Sequence, residues 1–199
     1  MGVNIFTFCR TCHQMAPDLG DGEGGFTGHP SADPTAHSRD SQSFGYVFSA
    51  FEAIGAVTLE MLRFQQFLLA HAKHDLDTMS DGGPAEAEFE KWPSDGEPEG
   101  ADDDWDDEPP EGWEYAHLEA ACRTCKKRRR TESAGVLQKR AERPVTDSEA
   151  ELFERVCAVV DDDMYRCIPF EDDLGQLAAF LKKHRGHLIA TRVVAAEEE

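Results

Sequence analysis

Four short words hold the residues that can do chemistry: Cys9-Arg10-Thr11-Cys12, His71-Ala72-Lys73-His74, Cys122-Arg123-Thr124-Cys125 and His184-Arg185-Gly186-His187. A C-x-x-C turn aims two thiolates at one cation, and two imidazoles three apart on one helical face can meet the same ion. Each Cys and His of the second set lies 113 positions after its counterpart in the first. The gap from second Cys to first His is 59 in both copies. Joint recurrence at one offset marks an internal duplication. It predicts two Cys₂His₂ sites, Cys9, Cys12, His71 and His74 in one and Cys122, Cys125, His184 and His187 in the other, with two Zn²⁺ per chain. Two thiolates neutralise the ion and two neutral imidazoles close the tetrahedron. Such a site is structural, and its binding energy is folding energy. The H-x-x-H spacing is one residue shorter than usual. Gly186 can bring His187 in from beyond a helix end, whereas Ala72 and Lys73 leave His74 to the helix itself.

The same residues admit other uses. If the histidines merely cap a helix, Cys9, Cys12, Cys122 and Cys125 could form one Cys₄ site between the halves. Cys9-x-x-Cys12-His13 fits covalent haem attachment, but the second copy has Lys126 where His13 stands. A redox C-x-x-C needs a following helix in a βαβ setting, and a long Gly/Pro-rich loop follows Cys12 instead. Cys157 and Cys167 fall on Phe44 and Ile54 under the 113 offset and read as core cysteines. The run 102–107 lacks the central Gly of a calcium loop. No Gly-rich phosphate loop, G-x-S-x-G or H-E-x-x-H occurs, so a catalytic role would need one site, most plausibly through His74, to open to water.

The elements that must position these ligands are partly legible. Val3 to Phe8 reads as a strand feeding the first knuckle. Residues 17–43 read as a long loop. Phe44 to Phe51 fits either period. From Thr58, which can serve as N-cap, the row Leu59, Leu62, Gln66 and Leu69, flanked by Met61, Phe64, Phe67 and Leu68, describes an amphipathic helix ending near the first His pair. In the second copy, residues 115–121 read as a weaker strand. A basic run, Lys126, Lys127, Arg128, Arg129 and Arg130, and a further loop to Pro144 follow it. Thr146-Asp147-Ser148-Glu149 signals a capped helix. Residues 164–170 read as a strand, and Glu171-Asp172-Asp173 opens a last helix that Gly186 can end. Residues 188–194 read as a closing strand. The fold class is therefore α+β: two small zinc-stabilised modules, residues 1–80 and 114–199, each of short strands, a knuckle and a helix ending in H-x-x-H.

Between them lies an acidic linker, residues 81–113, which its Pro and Gly content makes disordered by composition. Of the net charge of −20, residues 81–114 carry −14, so the acidity belongs mostly to this segment. It opposes non-specific contact with nucleic acid. Phe89, Trp92, Trp105 and Trp113 set in acid suit docking to a protein partner or back onto the same chain. Lys126 to Arg130 beside the second knuckle could instead grip phosphates, which makes nucleic acid the alternative partner. No stretch is long and apolar enough to span a bilayer, no signal peptide or myristoylation pattern opens the chain, and paired C-x-x-C motifs then indicate reduced thiols in a cytoplasmic protein.

The second copy, with its early Cys122-x-x-Cys125 and late Phe180-Leu181-Lys182-Lys183-His184-Arg185-Gly186-His187-Leu188, resembles small uncharacterised bacterial zinc-ribbon-like proteins. These pair an early C-x-x-C with a terminal F-L-x-x-H-x-G-H-x-L. The first copy departs at Lys73, which replaces the Gly. The resemblance implies zinc and a bacterial cytoplasm and carries no activity with it. The function expected is that of a non-enzymatic tandem zinc protein, an interaction or adaptor module.

Overall fold

The structure is a computed structural model that describes residues 5–17, 19, 26, 28–36, 42–80, 109–159 and 170–196. The acidic segment 81–108, residues 164–169 of the strand expected over 164–170, and Cys167 lie outside these residues; Phe170, its last residue, is instead the N-cap of the last helix. The described chain is mixed α+β, with four helices and two antiparallel sheets.

The first half runs β1 (Ile5–Cys9), β2 (Gln14–Met15), α1 (Phe44–Ile54), α2 (Leu59–Ala70) and β3 (Leu76–Ser80), with the sheet ordered β2-β1-β3. Residues 44–51, ambiguous in period, are helical. Ser43 decides it, because its Oγ accepts from Tyr46 N at 3.2 Å while donating to Asp33 O at 2.8 Å. The helix must also pass close to the preceding loop. A Cβ on Gly45 would lie 2.1 Å from Ala32 O, so only glycine allows the approach. Gly55, at φ +80°, ends α1 in the left-handed conformation. Thr58 then caps α2, its Oγ1 accepting from Met61 N at 3.2 Å.

The second half runs β4 (Trp113–Cys122), β5 (Lys127–Arg130), β6 (Gly135–Gln138), β7 (Arg143–Val145), α3 (Asp147–Val159), α4 (Glu171–Lys183) and β8 (Ile189–Ala195). Its sheet is ordered β5-β4-β8-β7, and β6 extends the β5 side by pairing with the start of β4. Two expectations change here. The segment expected to be the weaker strand, β4, is the longest strand of the described chain, because β5, β6 and β8 all pair with it. Its small residues Ala116, Ala120 and Cys122 are buried beside Leu118 on the face turned to the core. Most of the basic run is strand β5, and β6 and β7 fill what read as a loop, since turn-rich, charged sequence hides short edge strands. At α3 the capping box forms as expected, Thr146 N donating to Glu149 Oε2 at 2.8 Å and Glu149 N to Thr146 Oγ1 at 3.3 Å.

One buried apolar cluster runs through both halves, from Phe44, Phe51 and Phe64 to Leu118, Phe153, Leu177 and Ile189. At the seam Phe51 meets Phe153 edge-on, with centroids 5.6 Å apart. Gln138 N donates to Val57 O at 3.4 Å, and Thr58 bridges Leu137. Cys157 is buried in the same cluster, as expected for a core cysteine.

Candidate metal centres

Strand β1 delivers Cys9 to the end of its sheet, where it lies opposite both Gln14 and Leu76. The chain reverses within residues 10–13. His13 N donates to Cys9 O at 2.8 Å and Cys12 N to Cys9 Sγ at 3.4 Å. The backbone thus already directs an N–H at the sulfur. The turn closes with His13 at φ 57°, a left-handed conformation held here by a residue with a side chain. In the second half β4 delivers Cys122 opposite Lys127 and Ile189. Cys125 N donates to Cys122 Sγ at 3.3 Å, and Lys126 takes φ 56°.

The histidines arrive from the helix end. α2 stops at Ala70 and α4 at Lys183, leaving His71 and His184 as C-caps with nearly the same backbone angles, φ −106° and −108°, ψ 16° in both. Phe67 and Phe180, one turn earlier, stack on these rings at 4.3 and 4.6 Å. The second histidine of each pair lies beyond the helix, where His74 N reaches His71 O at 2.9 Å and His187 N reaches His184 O at 3.0 Å. The two imidazoles therefore do not share a helical face, and His74 is not carried by its helix. Gly186 is left-handed at φ 74° whereas Lys73 is not, so the same turn forms without a glycine.

Thr11 and Thr124 tie knuckle to histidine turn. Asp75 N donates to Thr11 Oγ1 at 3.1 Å and Leu188 N to Thr124 Oγ1 at 3.2 Å. Arg10 N and Arg123 N return bonds of 2.8 Å to Asp75 O and Leu188 O. This gives the repeated Thr a physical reason. The repeated Arg side chains act differently, Arg10 pairing with Asp77 at 2.8 Å and Arg123 with Glu142.

Each set of four side chains gathers its ligand atoms within 4.8 Å of one another. His74 Nδ1 lies 3.7 Å from Cys9 Sγ, 3.1 Å from Cys12 Sγ and 3.1 Å from His71 Nδ1. His187 Nδ1 lies 3.6 Å from Cys122 Sγ and 3.2 Å from Cys125 Sγ. Metal–sulfur bonds of about 2.3 Å and metal–nitrogen bonds of about 2.05 Å give tetrahedral edges of roughly 3.6 Å for S···N and 3.3 Å for N···N. These five separations match those edges to within about half an ångström, and with all ligand atoms of each set within 4.8 Å either cluster could hold a metal ion. Each cysteine pair keeps to its own histidines, which rules against a shared Cys₄ site. All four cysteines are thiols rather than disulfides.

The electrostatics point the same way. Burial, with the neighbouring His74 second, lowers the His71 pKa; burial, then His187, Lys183 and Lys127, lowers that of His184. Both imidazoles are thereby held in the neutral form that binds metals. Desolvation and the adjoining Cys9 or Cys122 raise the Cys12 and Cys125 thiols. Two thiolates cannot share so small a space without a cation between them. His184 Nδ1 is buried with no hydrogen-bond partner among the described residues, an acceptor that a metal would satisfy.

The remaining sequence candidates do not assemble into one site. Strand alternation sends Arg129 to Glu132 at 3.2 Å and towards Asp173 at 4.0 Å, while Arg128 turns to the other face and Glu119 at 3.6 Å. A positioning residue that the sequence reading overlooked is Asp173. Its Oδ2 accepts from Glu132 N at 2.8 Å, Ser133 N at 3.0 Å and Ser133 Oγ at 2.9 Å, anchoring α4 to the loop after β5. Burial raises its pKa, but these donors and Arg129 outweigh that and leave it lowered overall. A carboxylate at a helix start signalled only a favourable dipole; its distant partners left no trace in local sequence.

Comparison with known proteins finds no family model, curated protein or solved structure that matches the chain. No helix among the described residues is long and apolar enough to cross a membrane.

Proposed function

We propose that both clusters are closed zinc sites in a duplicated, non-enzymatic protein that acts as an interaction or adaptor module in the cytoplasm. The observation that carries the reading is the pair of Cys₂His₂ sets, each within 4.8 Å and built by matching hydrogen bonds. Two soft thiolates with two imidazoles in tetrahedral array suit Zn²⁺ better than magnesium or calcium, which take oxygen ligands. Four protein donors leave no position for a reacting water, and His74 sits as close to its thiols as His187 does, which favours a structural role at both. The matching strand register supports duplication: Cys9 faces Leu76 and Cys122 faces Ile189, and Thr7 faces Thr78 as Ala120 faces Thr191. Reduced thiols fit the cytoplasm.

Native mass spectrometry of the purified chain tests the reading directly. Two zinc ions per chain are expected; one ion, or a chain that stays fully folded after chelation, would overturn it. The pH dependence has a definite sign. The Cys12 and Cys125 thiols are raised, so metal uptake must expel their protons, and zinc affinity falls as pH falls, by about tenfold per unit for the one such thiol at each site. In the metal-free chain the lowered histidines make stability fall as pH drops below about 6.5, because the unfolded imidazoles take up protons first.

The nucleic-acid reading rests on the basic run. Arg128 and Arg129 have carboxylate partners, which leaves Lys126, Lys127 and Arg130 as the cations of that run without one among the described residues. Loss of oligonucleotide binding on neutralising these three, with zinc content unchanged, is the result that would favour it.

A further inference from the structure

The outer face of the second sheet, turned away from the shared core, carries a charge arrangement that the metal sites do not explain. Glu119 in β4 lies directly opposite Arg130 in β5 and Arg192 in β8. Its Oε1 accepts from Arg192 Nη2 at 2.7 Å, and Arg128 reaches its other oxygen at 3.6 Å. The carboxylate is buried, covered by these side chains, while Arg128 stays 74% and Arg192 45% exposed. Arg128 and Arg192 thus share one carboxylate while Arg130, opposite it in register, adds a third cation, which leaves an excess of positive charge on this sheet face. Tyr115, on the same face of β4, is 57% exposed, so an aromatic ring lies in line with the cations.

We propose that this face is the docking surface for the chain's own acidic segment, residues 99–108. Three observations select that occupant. The segment carries seven carboxylates and no cation, the charge complement of the arginine face. It contains Trp105, whose ring can stack on a guanidinium or on Tyr115. It also re-enters the described structure at Pro109, four residues before β4 begins at Trp113. Glu119 lies six residues along that strand, about 20 Å at the usual strand rise. The ten residues of the segment can extend roughly 33 Å, so the reach is sufficient. Tethering keeps the segment at an effective concentration on the order of millimolar, well placed to exclude competing polyanions.

The test uses the zinc-loaded full chain and a fluorescein-labelled peptide of residues 99–108. In one variant the chain's own segment is neutralised by Asp102→Asn, Asp103→Asn, Asp104→Asn, Asp106→Asn and Asp107→Asn. That variant is expected to bind the peptide at about 50 mM salt and to lose at least tenfold in affinity by about 0.5 M. The wild-type chain, its face already taken, is expected to bind at least tenfold more weakly. Adding Arg128→Ala and Arg130→Ala to the neutralised variant should abolish binding; if that chain fails to fold, Tyr115→Ser in the same background should weaken it several-fold. Equal binding by wild type and the neutralised variant, or no binding by the latter, overturns the proposal. So does an oligothymidine that binds the wild type as tightly as the neutralised variant, since the face would then be open to nucleic acid.

Discussion

The two candidate metal-binding turns agree far more closely than the halves that carry them. Paired hydrogen bonds in the turns differ by no more than 0.1 Å, from Cys12 N–Cys9 Sγ against Cys125 N–Cys122 Sγ to Asp75 N–Thr11 Oγ1 against Leu188 N–Thr124 Oγ1. Outside them the first half has a two-residue β2, where the second has a four-residue β5 followed by β6 and β7. Arg10 and Arg123 occupy equivalent places yet salt-bridge to partners at different points in the fold, Asp77 and Glu142. A closed tetrahedron tolerates little variation in its supporting bonds, whereas a surface ion pair can form with whichever carboxylate is near. Identity between the two C-R-T-C words therefore identifies a shared contact for Thr11 and Thr124, and does not for the arginine beside each.

The largest effect that bears on this comparison is removal of one ligand from either site. Cys9→Ser and Cys122→Ser should each leave one zinc per chain by native mass spectrometry. Because the apolar cluster is continuous across the seam, each should also lower the midpoint of one common thermal transition. Two separate transitions would mean that the halves are energetically independent. Next in size is the seam itself. Phe51→Ala removes a fully buried ring that packs on Phe153 and should cost about 3–5 kcal/mol in denaturant unfolding, with both zinc ions still bound under native conditions.

Smaller effects resolve the turns. Thr11→Val and Thr124→Val should each cost about 1 kcal/mol and by nearly equal amounts, since the bonds they remove match. Arg10→Ala and Arg123→Ala should change stability less than either; an arginine effect exceeding that of its threonine would break the distinction drawn between them. The smallest change has the opposite sign. Lys126→Gly relieves a left-handed residue at φ 56° and should raise stability by about 1 kcal/mol, read as a higher urea midpoint at unchanged slope.

Much of this was legible because it is local. Thr58 capping α2 and the Thr146/Glu149 box follow from side chains that bond within three residues of themselves. What escaped was non-local or lacked a period. Strand β3 was not foreseen, because its five residues gain strand character only by pairing along the whole of β1. β5 looked like a basic loop because the pairing that makes it a strand lies in β4. Asp173 looked like a favourable helix-start charge, and its role depends on Ser133, forty residues earlier. The turn at His74 was expected to need the glycine that its counterpart has; the structure makes the same turn with Lys73, whose backbone stays outside the left-handed region.

By itself the sequence singled out the two sets of four candidate ligand residues, because a fixed offset of 113 between the sets is a one-dimensional fact that needs no coordinates. It also determined where helices α2 and α3 start, through caps that act over a few residues. Only the tertiary structure decided that the second histidine of each pair stands beyond its helix, that the arginines of the basic run divide between two faces of a sheet, and that the two halves close over one core. The physical reason is range. Capping and knuckle turns are set by bonds between near neighbours, while strand pairing, seam packing and charge partners are settled by groups tens of residues apart that meet only once the chain has folded.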